Sequence, residues 1–443
     1  MSRSDHFPSE ITGLPPAHET EVVELADGAE YDLRIAPVAK QLGDATVRML
    51  AYNGSIPGPT LKVRQGSEVV VNVVNDGDLE STVHWHGLRL DNRYDGTHET
   101  QTPVPVGGSF TARCRFPDPG AYWYHPHIRE DYGQEMGLYG NIIVEPTDPA
   151  YWPKVHREIA LTLDDILLRT ARSRPSAAPR RPTRRWGASV TRCSWEGRRT
   201  RRCAPSERVV VDVLFDDPGD LTLEHRTPTR AYPLATIDVS ADRIEPSLAD
   251  EFETLRTNAD LVEVRGRVAE YVEAAPDKTL GFIAEMDLGG EHGHHDHGHG
   301  GHGHDPAGSD GIEWEDEMVE VNRMTTPANM RWKLIDRETG AENAAIDWRF
   351  RVGDKVKIRL RNEMGGDHPM HHPFHVHGAG RFLVLSRDAR TEENLVWKDT
   401  VLVQTGETVD ILLEVTNPGR WMAHCHIAEH HESGMMLTFD VTD

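Results

Sequence analysis

Residues His424-Cys425-His426-Ile427-Ala428-Glu429-His430-His431-Glu432-Ser433-Gly434-Met435, near the end of the 443-residue chain, carry a thiolate, an imidazole five residues on and a thioether five beyond that. With one more histidine from elsewhere, this is the His/Cys/His/Met donor set of a mononuclear electron-transfer copper centre. On a β-strand successive side chains point to opposite faces, so His424 and His426 face away from Cys425 and can ligate a second metal centre. Chance is the plain alternative for a single tripeptide. Further histidine pairs decide against it.

His84-Trp85-His86-Gly87, His125-Pro126-His127 and His372-Pro373-Phe374-His375-Val376-His377 each contain a His-x-His. On an extended strand that spacing puts two imidazoles on one face, as neighbouring ligands of a metal cluster require. Together with the pair flanking Cys425 they supply eight imidazoles. His372, Cys425, His430 and Met435 complete an inventory of twelve donors, enough for one blue copper and three more.

The four motifs, in this order, resemble those of the multicopper oxidases, the family that includes laccases, cuprous oxidases, bilirubin oxidases and ferroxidases. The likeness covers about the first 165 and the last 130 residues. It implies four coppers per chain, with His372, Cys425 and His430 as type 1 ligands and Met435 as the weak axial one. It further implies His84 and His375 as the type 2 pair, and His86, His125, His127, His377, His424 and His426 as the type 3 set. The implied chemistry is one-electron oxidation of a reductant at type 1, with Cys425 as the redox-active thiolate, and four-electron reduction of O2 to water at the trinuclear cluster. Asp95 resembles an acidic position near that cluster and would relay protons; the alternative is a turn residue in Asp91-Asn92-Arg93-Tyr94-Asp95-Gly96. One departure stands out. The residue after His430, often acidic in relatives, is His431, with Glu432 next.

An internal repeat bears on the fold. Val63-Arg64-Gln65-Gly66-Ser67-Glu68-Val69-Val70-Val71-Asn72-Val73 matches Phe350-Arg351-Val352-Gly353-Asp354-Lys355-Val356-Lys357-Ile358-Arg359-Leu360. Each run passes through a glycine turn into a segment apolar at every second position, the mark of a strand with one buried face. The copies stay in step, since Pro119-Gly120-Ala121-Tyr122-Trp123-Tyr124 leads into His125 as Pro418-Gly419-Arg420-Trp421-Met422-Ala423 leads into His424. The reading is an all-β chain of tandem cupredoxin-like Greek-key β-sandwiches, the cupredoxin type being what the resemblance implies. The first domain is placed at 1–150 and the last, with the type 1 copper, at 311–443. Each copy supplies two His-x-His pairs, so the cluster is expected between them.

Residues 151–245 are expected to form an incomplete central cupredoxin domain. Its strands recur in Ser206-Glu207-Arg208-Val209-Val210-Val211-Asp212-Val213-Leu214-Phe215 and Pro218-Gly219-Asp220-Leu221-Thr222-Leu223-Glu224-His225-Arg226, without the ligands. From Arg169 to Cys203 the chain is rich in Arg and Pro with scarcely any strand pattern. This is either a basic arm for an anionic partner or, the preferred reading, a disrupted first half of the domain that leaves sheet edges exposed. Residues 246–310 are read as a connector. Leu248 to Ala274, with Leu255, Leu261, Val262, Val268 and Tyr271 among charges, reads as one or two amphipathic helices packed on the sandwiches, and Lys278 to Met286 as a strand. His292 to Asp305 has seven histidines among Gly and Asp, a solvated loop able to chelate extra metal ions.

A net charge of −24 disfavours nucleic acid as a partner and suits cationic or metal-ion reductants, or simply solubility. No apolar run reaches the roughly 18 residues that would span a membrane. The first ten residues carry no signal segment, so the chain is expected to be cytoplasmic or exported from a start further upstream. Cys193 and Cys203 lie in the doubtful segment and Cys114 on an expected strand, which leaves no disulfide framework. O2 and a small reducing substrate are the expected partners. Laccase-like oxidation of phenols and aromatic amines is the first choice, with Cu(I), Fe(II) or Mn(II) the alternative. The rivals are a structural protein without copper, a non-functional product with a disrupted centre, and a two-domain copper nitrite reductase.

Overall fold

Gly66 (φ +90°) and Gly353 (φ +98°) make the turns of the two repeated runs in left-handed backbone that a side chain would strain. Gly66 joins strand Gly58–Arg64 to Glu68–Asn75, and Gly353 joins Trp348–Arg351 to Lys355–Asn362. Along Glu68–Asn75 the buried residues are Val69, Val71, Val73 and Asn75, the alternation that one covered face requires. The structure, a computed structural model, describes residues 8–164, 191–195, 199–215, 217–227, 230–253, 258–286, 329–364 and 370–443. The His292 to Asp305 run, Leu255 and most of the Arg-rich segment lie outside the described residues.

The first sandwich packs two sheets. One has strand order Val22–Leu25, Gly58–Arg64, Gly140–Glu145, Gly120–His125, His84–His86; the other Ala45–Tyr52, Glu30–Leu42, Glu68–Asn75, Ser109–Arg115. Leu33, Leu61, Val71, Trp85 and Ile142 fill the space between them. The last sandwich repeats the plan. Its six-stranded sheet runs Met330–Asp336, Lys278–Met286, Lys355–Asn362, Thr408–Val415, Gly380–Arg387, Arg390–Thr391, and its five-stranded sheet Trp348–Arg351, Met436–Thr442, Gly419–Cys425, His372–Val376, Thr400–Val403. Lys278–Met286, read as a strand from sequence, pairs antiparallel with Met330–Asp336, from Leu280 opposite Asp336 to Met286 opposite Met330. The repeat extends to the ligand ladders. His84 faces His125 across one antiparallel pair, as His375 faces His424 across the other.

The helix Ala259–Glu273 buries Leu261 and Val264 against Leu383, Leu385 and Leu412 of the last sandwich, as the amphipathic pattern requires; a short helix, Ala249–Phe252, precedes it. No helix among the described residues is long and apolar enough to cross a membrane.

The described residues of the central region form a four-stranded sheet, in the order Arg199–Cys203, Thr191–Trp195, Gly219–Arg226, Ala231–Val239. Two expectations are corrected here. Thr191–Trp195 and Arg199–Cys203 form a hairpin inside the stretch that shows scarcely any strand pattern, because backbone pairing alone holds a ladder. Conversely, the expected strand through Val209 to Phe215 is not one. It has no partner strand among the described residues, and Val210 and Val211 are 65% and 57% exposed. An alternating apolar pattern makes a strand only where a neighbouring strand pairs with it and its apolar face is covered. Leu360, fully buried in the last core, and exposed Val211 should therefore respond very differently to truncation. Leu360→Ala is expected to cost about 2–5 kcal/mol of unfolding free energy, and Val211→Ala less than about 0.5 kcal/mol, by urea denaturation.

Candidate metal centre

Two groups of donors converge in and beside the last sandwich. In the smaller one, His372, Cys425 and His430 are all fully buried, and the Nδ1 atoms of both histidines lie 3.4 Å from Cys425 Sγ. The short helix Ala428–Glu432 presents His430, and Gly434 (φ +95°) turns the chain back to bring in buried Met435. Backbone bonds brace this loop. The Cys425 N–H donates to Met435 O at 3.2 Å and the Met435 N–H to His430 O at 2.9 Å. Trp332 stacks on the His430 ring at 3.7 Å, and Met364 Sδ sits 3.2 Å from His372 Nε2. Burial pushes the Cys425 thiol up, so a thiolate at this position needs a cation beside it.

The larger group straddles the first and last sandwiches. The His86 and His375 rings stack at 3.7 Å and those of His84 and His377 lie 4.1 Å apart, one ring of each pair from each sandwich. The donor atoms of His86, His125 and His426 lie within 4.8 Å of one another. His424 Nε2 is 3.0 Å from His377 Nε2 and 3.4 Å from His127 Nε2. His84 and His375 face each other at 5.7 Å.

Partners outside the cluster hold one nitrogen of every cluster ring but that of His127. The Nδ1–H of His84 donates to Asp95 O (2.6 Å), that of His125 to Pro126 O (2.8 Å), that of His375 to Asp399 O (2.9 Å) and that of His424 to Cys425 O (2.9 Å). His377 Nδ1–H donates to Asp95 Oδ2 (2.9 Å), and His426 Nδ1 meets Ser206 Oγ (2.7 Å). His86 is turned the other way, its Nε2 lying 3.1 Å from Asp399 Oδ1 and 3.0 Å from Thr400 Oγ1. The opposite nitrogens of His84, His86, His125, His375 and His426 are buried with no hydrogen-bond partner. Each such atom costs about 1–3 kcal/mol. Several aimed into one space are accounted for by a bound cation, and imidazoles beside a Cys/Met site suit copper. The outer partners set which nitrogen is offered.

Burial, then the repulsion that protonating one imidazole among so many neighbours would meet (and Arg208 beside His86), holds His86, His125, His127, His375, His424 and His426 well below the usual imidazole range, so they are neutral, the form that ligates. Asp95 is 2% exposed. Burial works to raise its carboxyl, but His377 and His84 outweigh that and hold it below the usual carboxylate range.

All twelve donors named from sequence are buried, and Asp95 stands behind two of them. Asp399, Thr400, Ser206, Arg208 and Glu130 were not foreseen. Glu130 Oε1 lies 3.4 Å from His127 Nδ1 and 3.5 Å from His431 Nδ1, and the His431 ring packs 4.6 Å from that of His424. Burial pushes Glu130 up and His431 down to about 4. The only sequence signal for this pair is that His431 stands where relatives often carry an acid.

Multicopper oxidase family models match residues 36–149 and 315–443. The chain is similar to the multicopper oxidase MmcO of Mycobacterium tuberculosis, 27% identical over 91% of this chain and 85% of that protein. It is also similar to the iron transport multicopper oxidase of Gibberella zeae, 23% identical over 94% of this chain and 77% of that one. Among solved structures, a Campylobacter jejuni multicopper oxidase described as a metallo-oxidase shares the fold at TM-score 0.64 and 16% identity, covering 98% of each chain. With its two donor groups and these matches, the chain belongs to the multicopper oxidase family.

Proposed function

We propose that the chain binds four coppers and couples four one-electron oxidations of a small reductant to reduction of O2 to two waters. The observation that carries this reading is the convergence of partnerless buried imidazole nitrogens beside the His372/Cys425/His430 group. His372, Cys425, His430 and Met435 would hold the type 1 copper, and His84 and His375 the type 2 copper. His86, His125 and His426 would hold one type 3 copper and His127, His377 and His424 the other. Copper bound there would supply one-electron uptake from the reductant at Cys425 and the four-electron transfer to O2 at the cluster. The tripeptide His424-Cys425-His426 joins the two donor groups by covalent bonds. Asp95 orients His84 and His377, and its Oδ2, at the His377 Nδ1 proton, lies on the route proposed for proton delivery.

The reductant is the finer part of the proposal. Laccase-like oxidation of phenols and aromatic amines follows from the resemblance. Oxidation of a metal ion is favoured by a specific observation: the outer nitrogen of fully buried His372 is faced by the soft Met364 thioether, a donor suited to Cu(I). The names of two relatives, iron transport multicopper oxidase and copper resistance protein A, point the same way. Extra metal ions on the His-rich run are a further proposal that involves no described residue.

Copper-loaded protein is expected to contain about four coppers with an intense blue absorption. Cys425→Ser should abolish the blue band and O2 uptake while about three coppers remain; copper with no blue band in the parent chain would refute the reading. A kcat/KM for Cu(I) at least about tenfold above that for a phenol, about 1.4 kcal/mol in transition-state binding, would select the metal-ion reductant, and the reverse ratio the phenol. For the metal-free chain, the depressed imidazoles fix the sign of the pH dependence. Folded, they stay neutral; unfolded, they take up protons below about pH 6.5. Stability should be full above that pH and fall steadily from about pH 6.5 to 5, as read by urea midpoints.

A further inference from the structure

Ser206-Glu207-Arg208 belongs to the central region, which supplies none of the twelve donors, yet it reaches the cluster from outside. Arg208 forms a two-pronged ion pair with both carboxylate oxygens of Asp399. The same Asp399 meets His86 Nε2 through Oδ1 and takes the His375 Nδ1–H on its backbone carbonyl. Next to this pair, Glu207 forms an ion pair with Lys398 and also accepts the Ala204 N–H at 2.9 Å. Ser206 Oγ reaches His426 Nδ1. Arg208 also touches the first sandwich, donating through Nε to Ala121 O at 3.0 Å and lying over the Tyr122 ring. Gly87, directly after His86, makes room for it: a Cβ there would fall 2.4 Å from Asp399 Oδ2 and 2.8 Å from Arg208 Nη2.

We infer that Ser206–Arg208 is a clamp that closes the cluster from the central region, with Arg208 acting through Asp399 to position His86 and His375, and Ser206 positioning His426. The chemistry supports it. Asp399 is 6% exposed, and the Arg208 guanidinium pairs with both its oxygens; a carboxylate so paired and fixed is a stronger acceptor for an imidazole N–H than a neutral group. The guanidinium fork fixes both oxygens at once, which a lysine cannot do. Of the three histidines that share one candidate type 3 position, two therefore depend on residues 206–208 for the orientation of their outer nitrogens, and the third, His125, depends on its own backbone. The central region is a positioning element of the site as well as a spacer.

This inference rests on the copper assignment above for its consequence but not for its geometry, so the test has two arms. In the full-length metal-free chain, NMR should show slowly exchanging, hydrogen-bonded ring N–H protons of His86 and His375, lost in Arg208→Met. In copper titrations against a competing chelator, Arg208→Met and Ser206→Ala should each weaken cluster copper about 10–100-fold. The blue band from Cys425 should keep its position and intensity, and Arg208→Lys should restore only part of the affinity. Ring N–H signals unchanged in Arg208→Met, or blue and cluster copper lost in equal proportion, would overturn the clamp. A parent chain that shows the N–H signals but takes up no cluster copper would refute the oxidase reading while leaving the clamp supported.

Discussion

Every one of the twelve donors is a buried imidazole or sulfur, so its orientation is set by protein contacts on its far side. An imidazole has two nitrogens and nothing else polar to offer. Fixing one with a carbonyl, carboxylate or hydroxyl leaves the other with a single direction to face. Asp95, Asp399, Pro126 O and Cys425 O do this for rings drawn from both sandwiches. The inward nitrogens then lie closer to one another than neutral, unbridged imidazoles would choose, which is an arrangement a folded chain tolerates because the surrounding sheets are rigid.

The repeat makes this arrangement possible. In each sandwich a His-x-His strand is laid against a second histidine strand, so a single interface receives two equivalent ladders. Aromatic residues flank both donor groups, with partly buried Trp123 stacked on His125 at 4.1 Å and buried Trp332 on His430. Such rings add packing without competing for the metal, since an indole carries a donor only.

What was legible in the sequence follows from periodicity. His-x-His on a strand has one geometric outcome, so the eight paired histidines and the two flanking sandwiches follow from the pattern, whereas His372, His430 and Met435 are named from their spacing to Cys425 and from the family resemblance. The supporting residues could not be read in either way. Asp399 lies far from His86 in sequence, and no spacing rule links Arg208 to either; only the folded interface brings them together. The Ser206 to Phe215 run is instructive. Its alternating valines drew attention as a strand, but that half is exposed, while the three polar residues at its start reach the site. Likewise, the hairpin Thr191–Trp195 with Arg199–Cys203 forms without an apolar pattern to announce it.

The pairing of Met286 with Met330 has a consequence for how this gene can vary. Two residues opposed on adjacent strands are about 5 Å apart, so the two strand ends that flank residues 287–328 lie side by side in the six-stranded sheet. The entropic cost of joining two fixed ends rises by only about 0.6 kcal/mol for each doubling of the chain length between them. Histidines can therefore be gained or lost between these two methionines by insertion and deletion without moving a strand. The length and histidine content of that stretch are free to drift on a timescale separate from that of the twelve buried donors.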